Sequence, residues 1–299
     1  MNAKQVLIDK SLVHHVSTQF PEWKNLTITP VEPGGWDNRT FRLGKNMLVR
    51  MSSAKRYEYG IQKEQKWLPK LAPHLPLLIP YPIALGKPDL AYPYEWSIYR
   101  WIEGETAEKG PISNYANFAI SLAQFLIALQ NIDSTNGPMA GAHNFYRGGS
   151  LRVYDSEMRQ AITLLKGKID KKTVIEIWES ALATSWNQSP VWVHGDISPG
   201  NLLVKNGQLY AIIDFGGLAI GDPACDLGIT WTFFTGESRE IFRKTFSFDS
   251  ETWARGRAWT LWKALIIASG LSQTNNLEGK KCWQIINEIL QDHKTMQKM

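Results

Sequence analysis

The first third of the chain contains short apolar runs that are typical of β-strands. Four such runs can be identified: Leu26–Val31, Arg39–Leu43, Met47–Met51 and Trp96–Ile102. Gly44-Lys45-Asn46 connects the second run to the third and is compatible with a hairpin turn. This pattern predicts a small antiparallel sheet.

Two segments of this first third have helical spacing instead. Val6, Leu12, Val13, Val16 and Phe20 form one apolar stripe, which Pro21 ends. A second stripe lies between the third and fourth strands and contains Ile61, Glu64, Leu68 and Leu71. We therefore expect one helix to be inserted into the sheet.

The pattern becomes mainly helical after Glu103-Gly104. Apolar residues recur at helical spacing over residues 114–129, with Tyr115 assigned to the buried face, and again over residues 155–165 and 173–186. The dipeptide Asn206-Gly207 lies between two apolar runs and is a strong hairpin signal. The chain is therefore predicted to be an α+β protein, with a small antiparallel β lobe over residues 1–102 and a larger, mainly helical lobe over residues 103–299.

The composition supports a soluble protein with two cores. The chain has 299 residues, of which 43% are hydrophobic, too many for a disordered protein. The apolar stretch near the C-terminus is interrupted by Lys263 and is shorter than a membrane span, and Lys4 and Lys10 interrupt the N-terminal apolar run. The two cysteines, Cys225 and Cys282, exclude a disulfide framework and a four-cysteine zinc site. We expect a cytoplasmic location and no membrane partner.

The net charge of +5 invites a nucleic-acid interpretation. Residues 1–102 carry +6 and the remainder carries −1. The basic residues are dispersed, and no basic stretch is interleaved with stacking aromatic residues. We therefore expect a solvated surface and no nucleic-acid partner.

The segment with the clearest chemistry is His194-Gly195-Asp196-Ile197-Ser198-Pro199-Gly200-Asn201, which is followed by an apolar strand that ends at Asp214. Phosphoryl transfer needs a carboxylate that accepts the proton of the attacking hydroxyl, together with oxygen ligands for magnesium. The intervening hairpin allows Asp196, Asn201 and Asp214 to converge on one cleft. His194, which has apolar neighbours, is expected to hold the loop rather than to act as a base.

These motifs resemble the aminoglycoside phosphotransferase family, the small-molecule relatives of protein kinases. His-Gly-Asp-x-x-x-x-Asn and the following Asp-Phe-Gly are matched without gaps, and the lobe order fits nearly the whole chain. The resemblance implies a bilobal, protein-kinase-like fold and Mg²⁺-dependent transfer of phosphate from ATP or GTP to a hydroxyl group. By position, it implies that Asp196 is the catalytic base and that Asn201 and Asp214 are magnesium ligands.

Each of these residues also has an ordinary structural explanation. An aspartate or asparagine in a glycine-rich loop usually shapes a turn or caps backbone groups. All three residues occur together at these spacings and are followed by Gly221-Asp222-Pro223-Ala224-Cys225-Asp226-Leu227. This combination favours a catalytic site over a purely structural role. Asp226 is interpreted as structural, because in kinase-like folds an acid at this position bonds to the backbone of the catalytic loop. Cys225 is expected to be buried and inert.

The nucleotide side departs from the usual kinase pattern. Pro33-Gly34-Gly35-Trp36-Asp37-Asn38 resembles the phosphate-covering loop of the family, with Gly34, Gly35 and Asn38 as candidate contacts, but it is not a G-x-G-x-x-G motif. The two glycines would allow close approach to phosphate, although a tight hairpin without a ligand would use the same residues.

Arg50 occupies the position where kinase-like enzymes usually have a lysine. Glu64 shares a helical face with Ile61 and Leu68, where an unpaired buried carboxylate would be costly. We therefore predict an ion pair between Arg50 and Glu64, the alternative being that both side chains are at the surface. Trp101 and Ile102 are expected to bind the nucleotide base through their backbone at the hinge between the lobes, although this stretch could also serve only for packing.

The acceptor is expected to be small. Asp214 and Asp226 are only 12 positions apart, which leaves no room for a peptide-docking activation segment. The acceptor is therefore expected to be a hydroxylated small molecule, such as an amino sugar. The thirteen tryptophans could line its pocket but more often form a core, and residues 146–150 are either an acceptor loop or a connector. A nucleotide-binding pseudokinase that acts as a sensor or scaffold is the alternative function.

Overall fold

An antiparallel sheet of five strands forms the first part of the protein, as predicted. In the computed structural model, residues 12–32, 38–272 and 276–296 are described. The strands are β1 (Ile28–Pro30), β2 (Asn38–Leu43), β3 (Met47–Ser52), β4 (Pro82–Gly86) and β5 (Trp96–Arg100), in the spatial order β1-β2-β3-β5-β4. Arg50 lies in the central strand β3, opposite Thr40 on one side and Ser97 on the other.

Two helices flank this sheet. Residues 12–19 form α1, whose Leu12 and Val16 pack with Val49, Trp96 and Ile98 of the sheet. Val13, which the periodicity assigned to the same stripe, is exposed. Val6 lies outside the described residues.

The inserted helix α2 (Lys55–Leu71) contacts strands β3, β4 and β5. Its predicted stripe is confirmed, because Ile61, Glu64, Leu68 and Leu71 are all buried. Glu64 is thereby brought to the same side of the sheet as the buried guanidinium of Arg50, with which it forms an ion pair.

Helices dominate the second part, as the apolar periodicity predicts. They are α3 (Tyr115–Gln130), α4 (Asp155–Leu164), α5 (Lys171–Leu182), α6 (Ile229–Thr232), α7 (Gly236–Thr245), α8 (Ser250–Ala268) and α9 (Asn276–Met296). Trp231, Trp259 and Trp262 are buried in one apolar core with α4, α5 and α9, so packing explains these tryptophans. Tyr115 is 49% exposed, so its assignment to the buried face of α3 was wrong.

Two small sheets lie within the helical part. Strands β8 (Leu202–Lys205) and β9 (Gln208–Ile212) form the predicted hairpin, and β6 (Glu105–Thr106) pairs with β8. Asn206 and Gly207 both have positive φ, at 53° and 75°, which a type I′ turn requires. The second sheet pairs β7 (Val191–Val193) with β10 (Ala219–Gly221). Because β7 precedes the 194–201 loop and β10 follows the Asp214 segment, the two sheets fix both loops side by side.

The α+β prediction is therefore confirmed. Strand β5 ends at Arg100 in the five-stranded sheet, whereas β6 begins at Glu105 in the sheet of the helical part. The proposed boundary after residue 102 falls between them. Among the described residues, no helix combines the length and the hydropathy that a bilayer crossing requires.

Candidate active site

The loop that carries Asp196 is anchored by a buried carboxylate. Asp226 accepts hydrogen bonds from the backbone amides of His194 and Gly195, each at 2.7 Å. Burial raises the pKa of Asp226, although the two backbone amides that donate to it oppose this shift. The structural role that the sequence predicts for Asp226 is therefore confirmed.

His194 is fixed inside this loop and has both ring nitrogens engaged. Its Nδ1 lies 3.1 Å from the donating amide of Asp196, and its Nε2 lies 3.1 Å from the carbonyl oxygen of Ile213. Because Nδ1 accepts a hydrogen bond and so carries no proton, Nε2 carries the proton, and the ring is the neutral Nε2–H tautomer. The contacts therefore agree with the predicted loop-holding role.

Asp196 and Asn201 meet within the loop. The Asn201 Nδ2 group donates to the Asp196 backbone oxygen at 2.9 Å and to its Oδ2 at 3.2 Å. The Asp196 side chain is 43% exposed and lines a cleft. Since Nδ2 is the donor in both contacts, Oδ1 is the Asn201 atom that remains for a cation.

Asp214 reaches the same cleft from the end of β9. Its backbone lies in the left-handed region at φ 66°, which is uncommon for a residue other than glycine and is frequent at functional sites. The following residues turn in a short 3₁₀ segment, Phe215–Gly217. The carboxylate is thereby directed into the cleft and is 42% exposed.

Arg50 connects this carboxylate to the interior of the sheet lobe. Its Nη1 donates to Glu64 at 2.8 Å and 3.0 Å, and its Nη2 donates to Asp214 Oδ1 at 2.8 Å. Tyr99 also donates to Glu64. Although burial opposes it, the carboxylates of Glu64 and Asp214 raise the pKa of Arg50. The predicted Arg50–Glu64 pair is confirmed and the surface alternative was wrong, whereas the contact with Asp214 was not predicted.

Lys63, the neighbour of Glu64 in α2, is a site residue that sequence reasoning missed. Its buried ammonium donates to the carbonyl oxygens of Gly216 at 2.7 Å and Leu218 at 3.0 Å. It thus ties α2 to the segment that follows Asp214. Its position on the same helical face as Trp67 was the only available signal, since a lysine there is ordinarily exposed.

The titration of Lys63 gives a testable pH dependence. Burial lowers its pKa to about 8 from an ordinary value of 10.5, with Glu64 opposing and Arg147 adding to the shift. Because the unfolded chain binds this proton more tightly, the free energy of unfolding should rise between pH 8 and pH 10.5, by about 3 kcal/mol at most from this group. Urea unfolding of wild-type protein and Lys63→Met over pH 7–10.5 measures this contribution. Identical pH slopes in the two proteins would contradict it.

Arg147 is the second residue that the sequence did not single out. Its Nη1 lies 3.2 Å from Asp196 Oδ1. Although burial opposes it, Arg147 and Lys263 lower the pKa of Asp196. The sequence identified residues 146–150 only as a loop or connector, without a partner for the arginine.

The structure describes some, but not all, of the predicted nucleotide contacts. Asn38 lines the cleft beside Arg50, and its buried Oδ1 has no hydrogen-bond partner among the described residues. Gly34 and Gly35 lie outside those residues. The Trp101 amide donates to the Asn46 carbonyl at 2.8 Å, so this amide is already occupied. The Trp101 carbonyl and Ile102 are the remaining hinge candidates.

The cleft therefore combines cations and carboxylates at close range. Arg50, Arg56 and Arg147 line it together with Asp196 and Asp214. Within residues 12–32, 38–272 and 276–296, no group of three or more His, Cys, Asp or Glu side chains could hold a metal by itself. Such a cleft is suited to an anionic ligand that brings further oxygen ligands for a metal ion.

Comparison with known proteins shows similarity to phosphotransferases. The sequence profile described as the phosphotransferase enzyme family matches residues 27–259. Aminoglycoside 3′-phosphotransferases of Escherichia coli and Salmonella typhimurium are each 29% identical over 159 residues, which are 50% of this chain. The match spans 57% of the length of these curated relatives.

Solved structures resemble the chain over almost its whole length. The GDP complex of wild-type aminoglycoside 2′-phosphotransferase-IIIa has a TM-score of 0.70 at 16% identity, covering 95% of this chain and 99% of that one. The apoenzyme of a macrolide 2′-phosphotransferase from Brachybacterium faecium has a TM-score of 0.60 at 19% identity, covering 93% and 98%. At these identities the likeness shows the fold.

Proposed function

The chain belongs to the phosphotransferase enzyme family, and from this membership we propose that it transfers the γ-phosphate of ATP or GTP to a hydroxyl group of a small molecule. The observation that carries the proposal is the convergence of Asp196 and Asp214 on one cleft, with Asn201 bonded to Asp196. One carboxylate for the proton and two oxygen ligands for a metal are what this reaction requires.

Asp196 is the proposed catalytic base. Its half-exposed carboxylate faces the cleft, and Asp226 holds the loop from behind. The lowered pKa keeps the carboxylate ionised at neutral pH, so that it can orient the acceptor hydroxyl and receive its proton. His194 is unsuited to this task because both of its nitrogens are engaged.

The proposed magnesium ligands are Asn201 and Asp214. An amide oxygen and a carboxylate are the hard oxygen donors that Mg²⁺ prefers, and this ion commonly takes its other ligands from water and nucleotide phosphates. When bound, the ion would neutralise charge on the phosphates. The Arg50 contact to Asp214 Oδ1 holds that carboxylate in place beforehand.

Arg50 is also the proposed phosphate contact on the sheet side. Its guanidinium has Glu64 behind it and faces the cleft, where arginine can bind phosphate oxygens. We propose Asn38, Gly34 and Gly35 as the loop that covers the phosphates. The nucleotide base would then lie at the hinge, against the Trp101 carbonyl and Ile102.

A small acceptor is supported by the segment between Asp214 and Asp226. The 3₁₀ turn Phe215–Gly217, strand β10 and the 3₁₀ segment Pro223–Gly228 occupy this segment almost completely. It has no extended loop on which a peptide could dock. Relatives are named for aminoglycoside and macrolide substrates, and the proposed acceptor is likewise a hydroxylated small molecule, such as an amino sugar.

A nucleotide-release screen tests the proposal. ADP or GDP formation is measured with each triphosphate and Mg²⁺ against a panel of aminoglycosides, macrolides, simple amino sugars and polyols. We expect ADP or GDP to form only when a suitable acceptor is present. EDTA should abolish this formation and excess Mg²⁺ should restore it. Binding of both nucleotides without acceptor-dependent release across the panel would favour the pseudokinase alternative.

A further inference from the structure

Arg147 lies where the reacting groups of the proposed transfer would meet. Its Nη1 is 3.2 Å from Asp196 Oδ1. The same nitrogen lies close to Gly217, because a β-carbon at position 217 would be only 3.4 Å from Nη1. Gly217 is in the turn that begins at Asp214. Arg147 also lines the same cleft as Asp196, which would accept the proton, and Asp214, which would bind the metal.

The loop that presents Arg147 is held in a strained conformation. Phe145 and Tyr146, which precede it, both have left-handed backbones, with φ of 55° and 53°. Such conformations cost energy for residues other than glycine, and they persist only where the surroundings enforce them.

The enforcing contacts come from two sides. The buried Asn144 side chain donates to the Arg147 carbonyl at 2.7 Å and to the Gly217 carbonyl at 3.2 Å. The Asp222 amide donates to the Gly148 carbonyl at 2.7 Å. The loop is thus fixed to the Asp214 segment and to the segment that carries Asp226.

A cation beside the proposed base has a cost. Arg147 lies 3.2 Å from the Asp196 carboxylate, and a carboxylate that is paired with a cation takes up the hydroxyl proton less readily. A role limited to neutralising Asp196 would therefore work against the reaction. A guanidinium that also donates to phosphoryl oxygens offsets this cost, because it stabilises charge on the group being transferred.

We propose that Arg147 is a further catalytic residue that donates hydrogen bonds to the phosphoryl group during transfer. This inference rests on the proposed function. The acceptor oxygen forms a bond to the γ-phosphorus while the bond from that phosphorus to the β–γ bridging oxygen breaks. The hydroxyl proton passes to Asp196, and the nucleoside diphosphate leaves with the electron pair. Arg147 stays protonated and binds the non-bridging oxygens throughout.

The kinetic test compares Arg147→Ala and Arg147→Lys with wild type, with Arg159→Ala as the matched control. Arg159 is a half-exposed arginine of α4 that pairs with Asp155 and Glu179 away from the cleft. We expect Arg147→Ala to lower kcat by roughly 10²–10³-fold with a much smaller change in KM for the nucleotide, and Arg147→Lys to restore part of kcat. Arg159→Ala should match wild type.

The pH profile separates catalysis from mere tuning of Asp196. If Arg147 only tuned Asp196, Arg147→Ala would lose activity on the acidic limb of the kcat profile and regain wild-type kcat on the plateau at higher pH. If Arg147 binds the phosphoryl group, the loss of kcat persists on the plateau above that limb. Full recovery of kcat on the plateau would overturn the proposal.

A binding measurement makes the test independent of the acceptor. Isothermal titration compares Mg-ADP with Mg-ADP plus aluminium fluoride, which mimics a phosphoryl group in transfer. Wild type should bind Mg-ADP with aluminium fluoride more tightly than Mg-ADP alone. Arg147→Ala should lose most of this difference in affinity and Arg147→Lys should lose part of it, while both variants bind Mg-ADP as wild type does. If both variants keep the full difference in affinity between the two complexes, the proposed role of Arg147 is refuted, whereas the proposed function is not. If wild type binds neither nucleotide form, the proposed function itself fails.

Discussion

Replacing Asp196 by Asn is expected to lower kcat by about 10³-fold or more, while nucleotide affinity stays within about twofold of wild type. The amide has the shape of the carboxylate but cannot accept the hydroxyl proton. The loop should keep its conformation, because its anchor is the pair of bonds from His194 and Gly195 to Asp226.

The measurement is steady-state turnover with whichever acceptor the nucleotide-release screen identifies, together with titration of Mg-ADP. Asp133→Asn is the matched control, because Asp133 is an exposed loop residue whose side chain accepts hydrogen bonds from Thr135. A kcat for Asp196→Asn within tenfold of wild type would remove Asp196 from the role of base. Loss of Mg-ADP binding as well would indicate that the substitution disturbed the site rather than the proton transfer.

The parts of the site that could be predicted from sequence are those fixed over short distances along the chain. Asn206-Gly207 defines a hairpin by its backbone preferences alone, and that hairpin sets the loop before it beside the strand end after it. The spacing of Asp196 and Asn201 then brings the two into contact within a single turn. No knowledge of distant segments is needed for either inference.

The Arg50–Glu64 pair was predictable for an energetic reason. Helical periodicity placed Glu64 on the buried face of α2, and a buried carboxylate requires a partner. The sheet order β2-β3-β5 then put Arg50 at the centre of the neighbouring sheet. The additional bond from Arg50 to Asp214 joins residues 164 positions apart, and it depends on how the two parts of the protein pack together.

Lys63 and Arg147 could not be found in this way. Two partners of Lys63 are backbone carbonyls of residues 216 and 218, which any sequence would offer, and the third is the His143 ring, 80 positions away along the chain. Arg147 reaches Asp196 only because two consecutive aromatic residues adopt left-handed conformations. Local preferences argue against such a loop, and the bonds that Asn144 and Asp222 make to it and around it enforce it.

Replacing Arg50 by Ala should lower the free energy of unfolding by about 3–5 kcal/mol, because Glu64 is left buried without its cation. Arg50→Lys keeps the charge, but one ammonium replaces the two nitrogens that bind Glu64 and Asp214, so an intermediate loss is expected. Urea unfolding of both variants, with Arg159→Ala as a surface control, measures these losses.

The cause of the loss can be isolated by a double substitution. If the orphaned carboxylate dominates, adding Glu64→Gln to Arg50→Ala should recover part of the stability, since a neutral amide that keeps the bond from Tyr99 costs less to bury than an unpaired charge. The recovered double variant should still bind Mg-ATP and Mg-GTP weakly, because the guanidinium that faces the cleft is absent. Recovery of stability together with wild-type nucleotide affinity would show that Arg50 serves only the fold. Unfolding free energies of Arg50→Ala equal to those of the surface control would instead show that Glu64 finds another partner.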